Sequence, residues 1–170
     1  MRRRTWLKDL PPGAADWERL VASSPGFFAA WSALEDELWR SVDPTILRLC
    51  RARMAILLGV PGQRALTRDE KRDVSSLTRQ KLAALAQWPY SPLFAPVERT
   101  CLSFAEQFVL DVTGIDQSMV DALLEHLSPA DCYSFTYALW CFEAMERVCL
   151  VLDVELPPTA AAVHRAELSG

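Results

Sequence analysis

Histidine is scarce in this chain, glycine is sparse, and no two cysteines stand in a Cys-x-x-Cys pair. His126 and His164 are the two histidines among 170 residues. With so few, and with no ligand-spaced cysteines, neither a zinc nor an iron centre is expected, and no cofactor is expected either. The six glycines are scattered, which removes a phosphate-cradling loop, and no Ser-His-Asp signature is visible. A net charge of −4 leaves no electrostatic footprint for nucleic acid. Long apolar runs are missing as well. The longest, within Cys132 to Leu152, is broken by Glu143, Glu146 and Arg147, so a membrane span is not expected. The basic start Met1-Arg2-Arg3-Arg4 meets Asp9, Pro11 and Pro12 before any apolar segment, which argues against an export signal.

What is present is the material of a packed core. Hydrophobic residues make up 51% of the chain and charged residues 24%, a balance that buries surface rather than staying disordered. The length suits one ordinary domain. The expected organisation is a single helical domain over residues 1–156, closed by Pro157-Pro158, with a flexible alanine-rich tail over 157–170. Five cysteines are scattered: Cys50, Cys101, Cys132, Cys141 and Cys149. An odd count without an export signal reads as reduced, buried thiols in a cytoplasmic protein. The sharper alternative is a relocated redox pair. Cys141 and Cys149 lie about 12 Å apart on one expected helix, too far to bridge, but a pair between helices such as Cys50 with Cys149 stays open.

No alternating strand pattern of useful length appears, so the chain is read as all-α. A short helix is expected from Ala15 to Ala22, ended by Pro25-Gly26. A longer amphipathic one follows from Phe27 to Val42, with Phe28, Trp31, Leu34, Leu38 and Trp39 at helical spacing. Asp43-Pro44 supplies an N-cap and a first-position proline for a helix that runs to about Leu58 and stops at Gly59. That helix is apolar nearly all round apart from Arg48, Arg51 and Arg53, which predicts burial and requires the arginines to be paired or to reach a polar cavity. Thr67-Arg68-Asp69-Glu70 reads as a capping box, and Thr78 as the cap of a helix to Gln87. After the aromatic turn Trp88-Pro89-Tyr90-Ser91-Pro92, Pro96 opens a helix with Leu102, Ala105, Phe108, Val109 and Val112 as its stripe and Gly114 as its end. Asp116 to Leu127 is the next helix, with Val120, Leu123, Leu124 and Leu127 facing in. Ser128-Pro129 starts the last, to about Leu152.

The segment Arg48 to Gln63, Arg-Leu-Cys-Arg-Ala-Arg-Met-Ala-Ile-Leu-Leu-Gly-Val-Pro-Gly-Gln, resembles the active-site helix of the carboxymuconolactone decarboxylase and alkylhydroperoxidase-D-like superfamily. Phe104-Ala105-Glu106-Gln107-Phe108 resembles its aromatic-x-glutamate segment. Glu143-Ala144-Met145-Glu146-Arg147 resembles its closing segment, with glutamate at both places where asparagine is usual. The resemblance spans roughly Trp17 to Val154 and implies an alkylhydroperoxidase-D-like bundle of about seven to eight helices. It also implies self-association, as a dimer, trimer or hexamer. Redox-active members carry a glutamate on this helix, then a Cys-x-x-Cys pair, then a histidine. Here the glutamate position reads Arg48, the cysteine positions Val60 and Gln63, and the histidine position Thr67, or Arg68 if the loop holds one extra residue.

These replacements remove the chemistry on physical grounds. Peroxide reduction of this kind needs a thiolate, a resolving thiol and a base. Val60 has no heteroatom, Gln63 forms no disulfide, and Arg48 is permanently protonated and accepts no proton. An arginine at a base position either ends catalysis or makes the site bind anions. Arg48, Arg51 and Trp140 are therefore the candidate ligand-binding residues, and Glu106, Tyr137 and Glu143 the candidate acid–base residues. Three carboxylates, Glu106, Glu143 and Glu146, could approach Arg48 or Arg51, although Glu143 and Arg147 are also spaced to pair on one helix face. Tyr133, Tyr137 and Trp140 could line a pocket, a core or a subunit interface, and Trp6, Trp17, Trp31 and Trp39 are interface candidates. Three functions remain in competition at this point: an acid–base enzyme acting on a small anionic or carbonyl-bearing molecule, a non-catalytic binding or assembly subunit partnering a paralogue, and a thiol redox protein with moved cysteines.

Overall fold

A computed structural model of the chain describes residues 16–60 and 75–154. Seven α-helices lie in these residues: α1 (Asp16–Ser23), α2 (Pro25–Ser41), α3 (Pro44–Leu57), α4 (Ser76–Ala83), α5 (Pro96–Leu110), α6 (Gln117–Leu124) and α7 (Pro129–Leu152). No strand occurs among the described residues, which agrees with the all-α expectation. No helix among them is long and apolar enough to cross a membrane. The Thr67–Glu70 capping box, the Gln63 and Thr67 motif positions, Trp6 and the tail over 157–170 lie outside the described residues.

Most helix starts follow from local chemistry. The Asp43 carboxylate accepts from the amides of Thr45 (2.7 Å) and Ile46 (3.3 Å), and Pro44 sits first in α3, where its missing N–H has no helical partner to lose. Asp116 caps α6 through the Met119 amide (3.1 Å), and Ser128 caps α7 through that of Asp131 (3.1 Å). The stop at Gly59 is equally local. Gly59 takes φ 72°, donates to the Ile56 carbonyl (3.2 Å), and lets the Val60 amide reach the Ala55 carbonyl (2.9 Å). This double hydrogen bond is the Schellman closure, and the buried Val60 is its apolar anchor. Asp153 closes α7 in the same way at φ 55°, with Val154 buried behind it.

Several boundaries differ from the sequence expectation, among them the end of α4, which stops at Ala83 before a separate 3-10 turn at Leu85–Gln87. Pro25-Gly26 does not separate α1 from α2. Ser24 alone does, and Pro25 opens α2, the position where its fixed φ is suited to a helix. The cap of α4 is Ser75 rather than Thr78. Ser75 Oγ accepts from the Thr78 amide (3.1 Å), which places Thr78 one turn inside the helix. α5 ends at Leu110, before Gly114, because Asp111 turns the chain by accepting from the Thr113 amide and hydroxyl (3.2 and 2.6 Å). Val112 is thereby left exposed, as is Leu124 at the end of a shortened α6.

The buried α3 is the axis of the bundle, packed against α5 and α7. Leu47, Leu49, Cys50 and Met54 of α3 meet Leu102 and Ala105 of α5 and Phe135, Leu139 and Phe142 of α7, all at most 1% exposed. A smaller cluster of Val21, Met145, Cys149 and Val154 lies beyond them, with Phe28 and Trp31 packed on it. α2 lies on the other flank of α7 and also touches α3. The three-way junction of α2, α3 and α7 is where buried charge collects.

Candidate functional site

Each of the three helices delivers a charged side chain to that junction. Glu35 comes from α2, Arg48 and Arg51 from α3, and Glu146 from α7. Glu35, Arg51 and Glu146 are 5%, 6% and 0% exposed. An Nη of Arg51 lies 4.0 Å from a carboxylate oxygen of Glu35, and its guanidinium carbon sits 5.2 Å from the Phe142 ring centre. Arg48 stacks similarly on Trp39 at 5.8 Å, and the Trp39 and Phe142 rings are themselves 5.8 Å apart. The junction is thus two cations stacked on two touching aromatic rings, an arrangement that holds guanidinium groups away from water.

Glu146 is the unusual member. Neither of its oxygens has a hydrogen-bond partner, and burial pushes its carboxyl up to about 7 against the opposing pull of Arg51. The Nε of Arg51 and the indole N–H groups of Trp31 and Trp39 are also buried without a hydrogen-bond partner. Buried polar groups are ordinarily satisfied, so this junction holds an uncommon stock of open donors and acceptors.

The structure brings only some of the sequence candidates here. Arg48 and Arg51 are present, and Trp140 borders the region by packing on Trp31 at 6.3 Å. Glu106 is elsewhere: it accepts from Arg53 Nε (2.5 Å) and Trp88 Nε1 (2.6 Å), tying α3 and α5 to the aromatic turn. Glu143 accepts from Arg147 (2.7 and 3.0 Å) on the outer side of α7. Tyr137 lies on an aromatic run in which exposed Tyr133, Tyr137, Trp140 and Phe27 are linked through the partly buried Trp31, with successive ring centres 4.7–6.3 Å apart. Of the motif positions described, Val60 is a helix-closing core residue. Glu35 was missed by the sequence reading. Its signal was a carboxylate set four residues from both Trp31 and Trp39, inside the apolar stripe of α2.

All five cysteines are free. Burial raises Cys50 well above the ordinary thiol value, raises Cys101 to about 12 and Cys141 to about 11, and raises Cys132 as well. A nucleophilic cysteine needs the opposite shift. With a charged disulfide reagent near pH 8, the native protein should therefore show one reacting thiol, the half-buried Cys132, and all five only after denaturation. Prompt reaction of two or more native thiols would contradict this. No group of three or more His, Cys, Asp or Glu side chains that could hold a metal ion occurs among the described residues.

No known family profile matches the chain, and no curated protein does. Solved structures do. One is a protein of unknown function from Agrobacterium tumefaciens that carries the AhpD name and a suggested antioxidant role. It is 22% identical, with a TM-score of 0.67 over 81% of this chain and 95% of its own. Another is a cysteine-to-alanine form of the debrominase Bmp8 in complex with 2,3,4-tribromopyrrole. It is 16% identical, with a TM-score of 0.67 over 89% of this chain and 82% of its own. The chain has the alkylhydroperoxidase-D-like fold. Within this fold, Arg48 and Arg51 stand one turn apart on α3, and Glu146 lies on α7.

Proposed function

We propose that this is a divergent AhpD-like protein without thiol peroxidase activity, which binds a small anionic or carbonyl-bearing molecule at the α2–α3–α7 junction. The single observation that carries the reading is Glu146, a wholly buried carboxyl with two open oxygens beside the partly unsatisfied guanidinium of Arg51. An acid poised near neutrality next to a fixed cation is the pairing that acid–base chemistry on a carbonyl uses. Two further observations support a pocket of this kind. The Trp39–Phe142 ring pair offers an apolar wall beside the cations. The debrominase of the same fold holds a small aromatic molecule. In this reading Glu146 and Glu35 take the acid–base place first assigned to Glu106 and Glu143.

The exposed aromatic run along α2 and α7 supports self-association, since half-exposed tyrosine and tryptophan are typical of subunit contacts. The binding reading is tested by calorimetry with a panel of acetate, benzoate and phosphate. Arg51→Gln and Arg48→Ala should each weaken the tightest binder at least tenfold while the far-ultraviolet circular dichroism stays unchanged. Equal affinity in both variants and the parent would sink the proposal, and so would dithiol-dependent peroxide turnover by the parent.

A further inference from the structure

The buried acids of the described helices are not alike. Glu98 is held by Lys81 at 2.6 and 2.7 Å, and half-buried Glu106 by Arg53 and Trp88. Glu146 is more deeply enclosed than either, and no donor reaches its oxygens. Glu35 and Glu146 both act on the Arg51 guanidinium, so the protonation of Glu146 decides whether that cation meets one buried carboxylate or two.

We propose that anion binding at this junction is proton-coupled: a flat monocarboxylate docks on Arg51 beside the Trp39–Phe142 ring pair, and Glu146 takes up one proton from solvent as it does so. The proposal deepens the binding reading above and rests on it. A carboxylate entering beside an ionised Glu146 would put like charges together in a medium that screens them poorly, whereas one entering beside the neutral acid meets no such repulsion. Protonation also converts Glu146 from an acceptor into a donor, so its O–H completes a hydrogen bond to the ligand carboxylate that Arg51 begins. The balance is simple. Above the titration of Glu146, the empty site plus one anion plus one proton gives the occupied site. Below it the proton is already in place, and none is exchanged.

The other titratable groups on the packed helices do not supply that proton switch. Arg48 and Arg51 on α3 and Arg19 on α1 stay charged. The Cys141 thiol on α7, pushed up to about 11 by burial and then by Glu35, stays neutral. Glu143 is engaged by Arg147 on the outer side of the helix. Buried Glu35 on α2 is engaged by Arg51.

Benzoate is the probe, titrated calorimetrically into the full-length protein from about pH 6 to about pH 9, in buffers of different ionisation enthalpy. The expected affinity is level below the titration of Glu146, which lies at about 7, and falls about tenfold per pH unit above it, with about one proton absorbed per benzoate. Glu146→Gln should bind with pH-independent affinity and absorb no proton. Binding that Arg51→Gln abolishes, but that is flat with pH and free of proton uptake in the parent, would overturn the coupling and leave the binding reading intact. No benzoate binding at all, or binding untouched by Arg51→Gln, would overturn the binding reading and the coupling with it.

Discussion

Glu146→Gln should make this protein more stable above neutral pH, by about 3 kcal/mol, and should flatten its stability between mildly acid and neutral conditions. The carboxyl of Glu146 has an ordinary value of 4.5 and is raised to about 7 by burial. One pKa unit is worth about 1.4 kcal/mol of differential interaction. The direction follows from proton counting. Between those two values the unfolded chain has released the proton and the folded chain still holds it, so the folded state binds more protons. Stability therefore falls as pH rises through that window and levels off above about 7. Glutamine has the shape of the protonated acid and cannot ionise, so the variant keeps the low-pH level throughout. Urea midpoints measured from about pH 5 to about pH 8 check this. A parent curve that is flat in this range, or a variant weaker than its parent near pH 8, would mean that Glu146 sits folded as the charged partner of Arg51.

If that result is obtained, Glu146 is an acid that costs the fold stability, which is what a functional rather than a packing role would require. The sequence could not rank it. Glu106, Glu143 and Glu146 each occupy a segment that resembles the AhpD-like pattern, and which of them meets Arg48 or Arg51 depends on how α5 and α7 are rotated against α3. The outcome was decided by tertiary partners: Arg53 and the Trp88 indole claim Glu106, and the spacing of four on α7 hands Glu143 to Arg147. Glu35 was hidden for the opposite reason. Beside Asp36 and Glu37 it reads as one more charge of a solvated face, although its spacing from Trp31 and Trp39 turns it inward. What was legible was local. The Asp43-Pro44 start, the Gly59 stop and the Ser128-Pro129 start depend on hydrogen bonds within one turn, and the apolar girdle of α3 announced its burial. Thr78 misled because a hydroxyl at a helix start looks the same one turn inside it, with the true cap, Ser75, three residues earlier.

The second large effect is expected at the other buried ion pair. Lys81→Met should cost about 3–5 kcal/mol, more than most single surface changes in the chain. Lys81 and Glu98 are 7% and 6% exposed, and the ammonium bridges both carboxylate oxygens, at 2.6 and 2.7 Å. One of those oxygens also accepts from the Ala95 amide (2.8 Å), so Glu98 closes the start of α5 while it anchors α4. Methionine fills the space of the lysine stem but leaves the carboxylate facing the core without a counter-charge. That carboxylate must then either stay charged at high cost or take up a proton, which would add a stability loss that grows with pH. Lys81→Met combined with Glu98→Leu removes the stranded charge together with its partner. The double variant should lose markedly less than the sum of the two single changes, with only the cap hydrogen bond, about 1 kcal/mol, left unreplaced. The cycle is read from urea unfolding of the four proteins at one pH. Additive losses would mean that the two side chains act independently despite their contact. A coupling of several kcal/mol would show that α4 is held to the bundle through this pair. The contrast with Glu146 is then physical: both acids are buried, but Glu98 has its donors built in and stabilises the fold, whereas Glu146 has none and weighs against it.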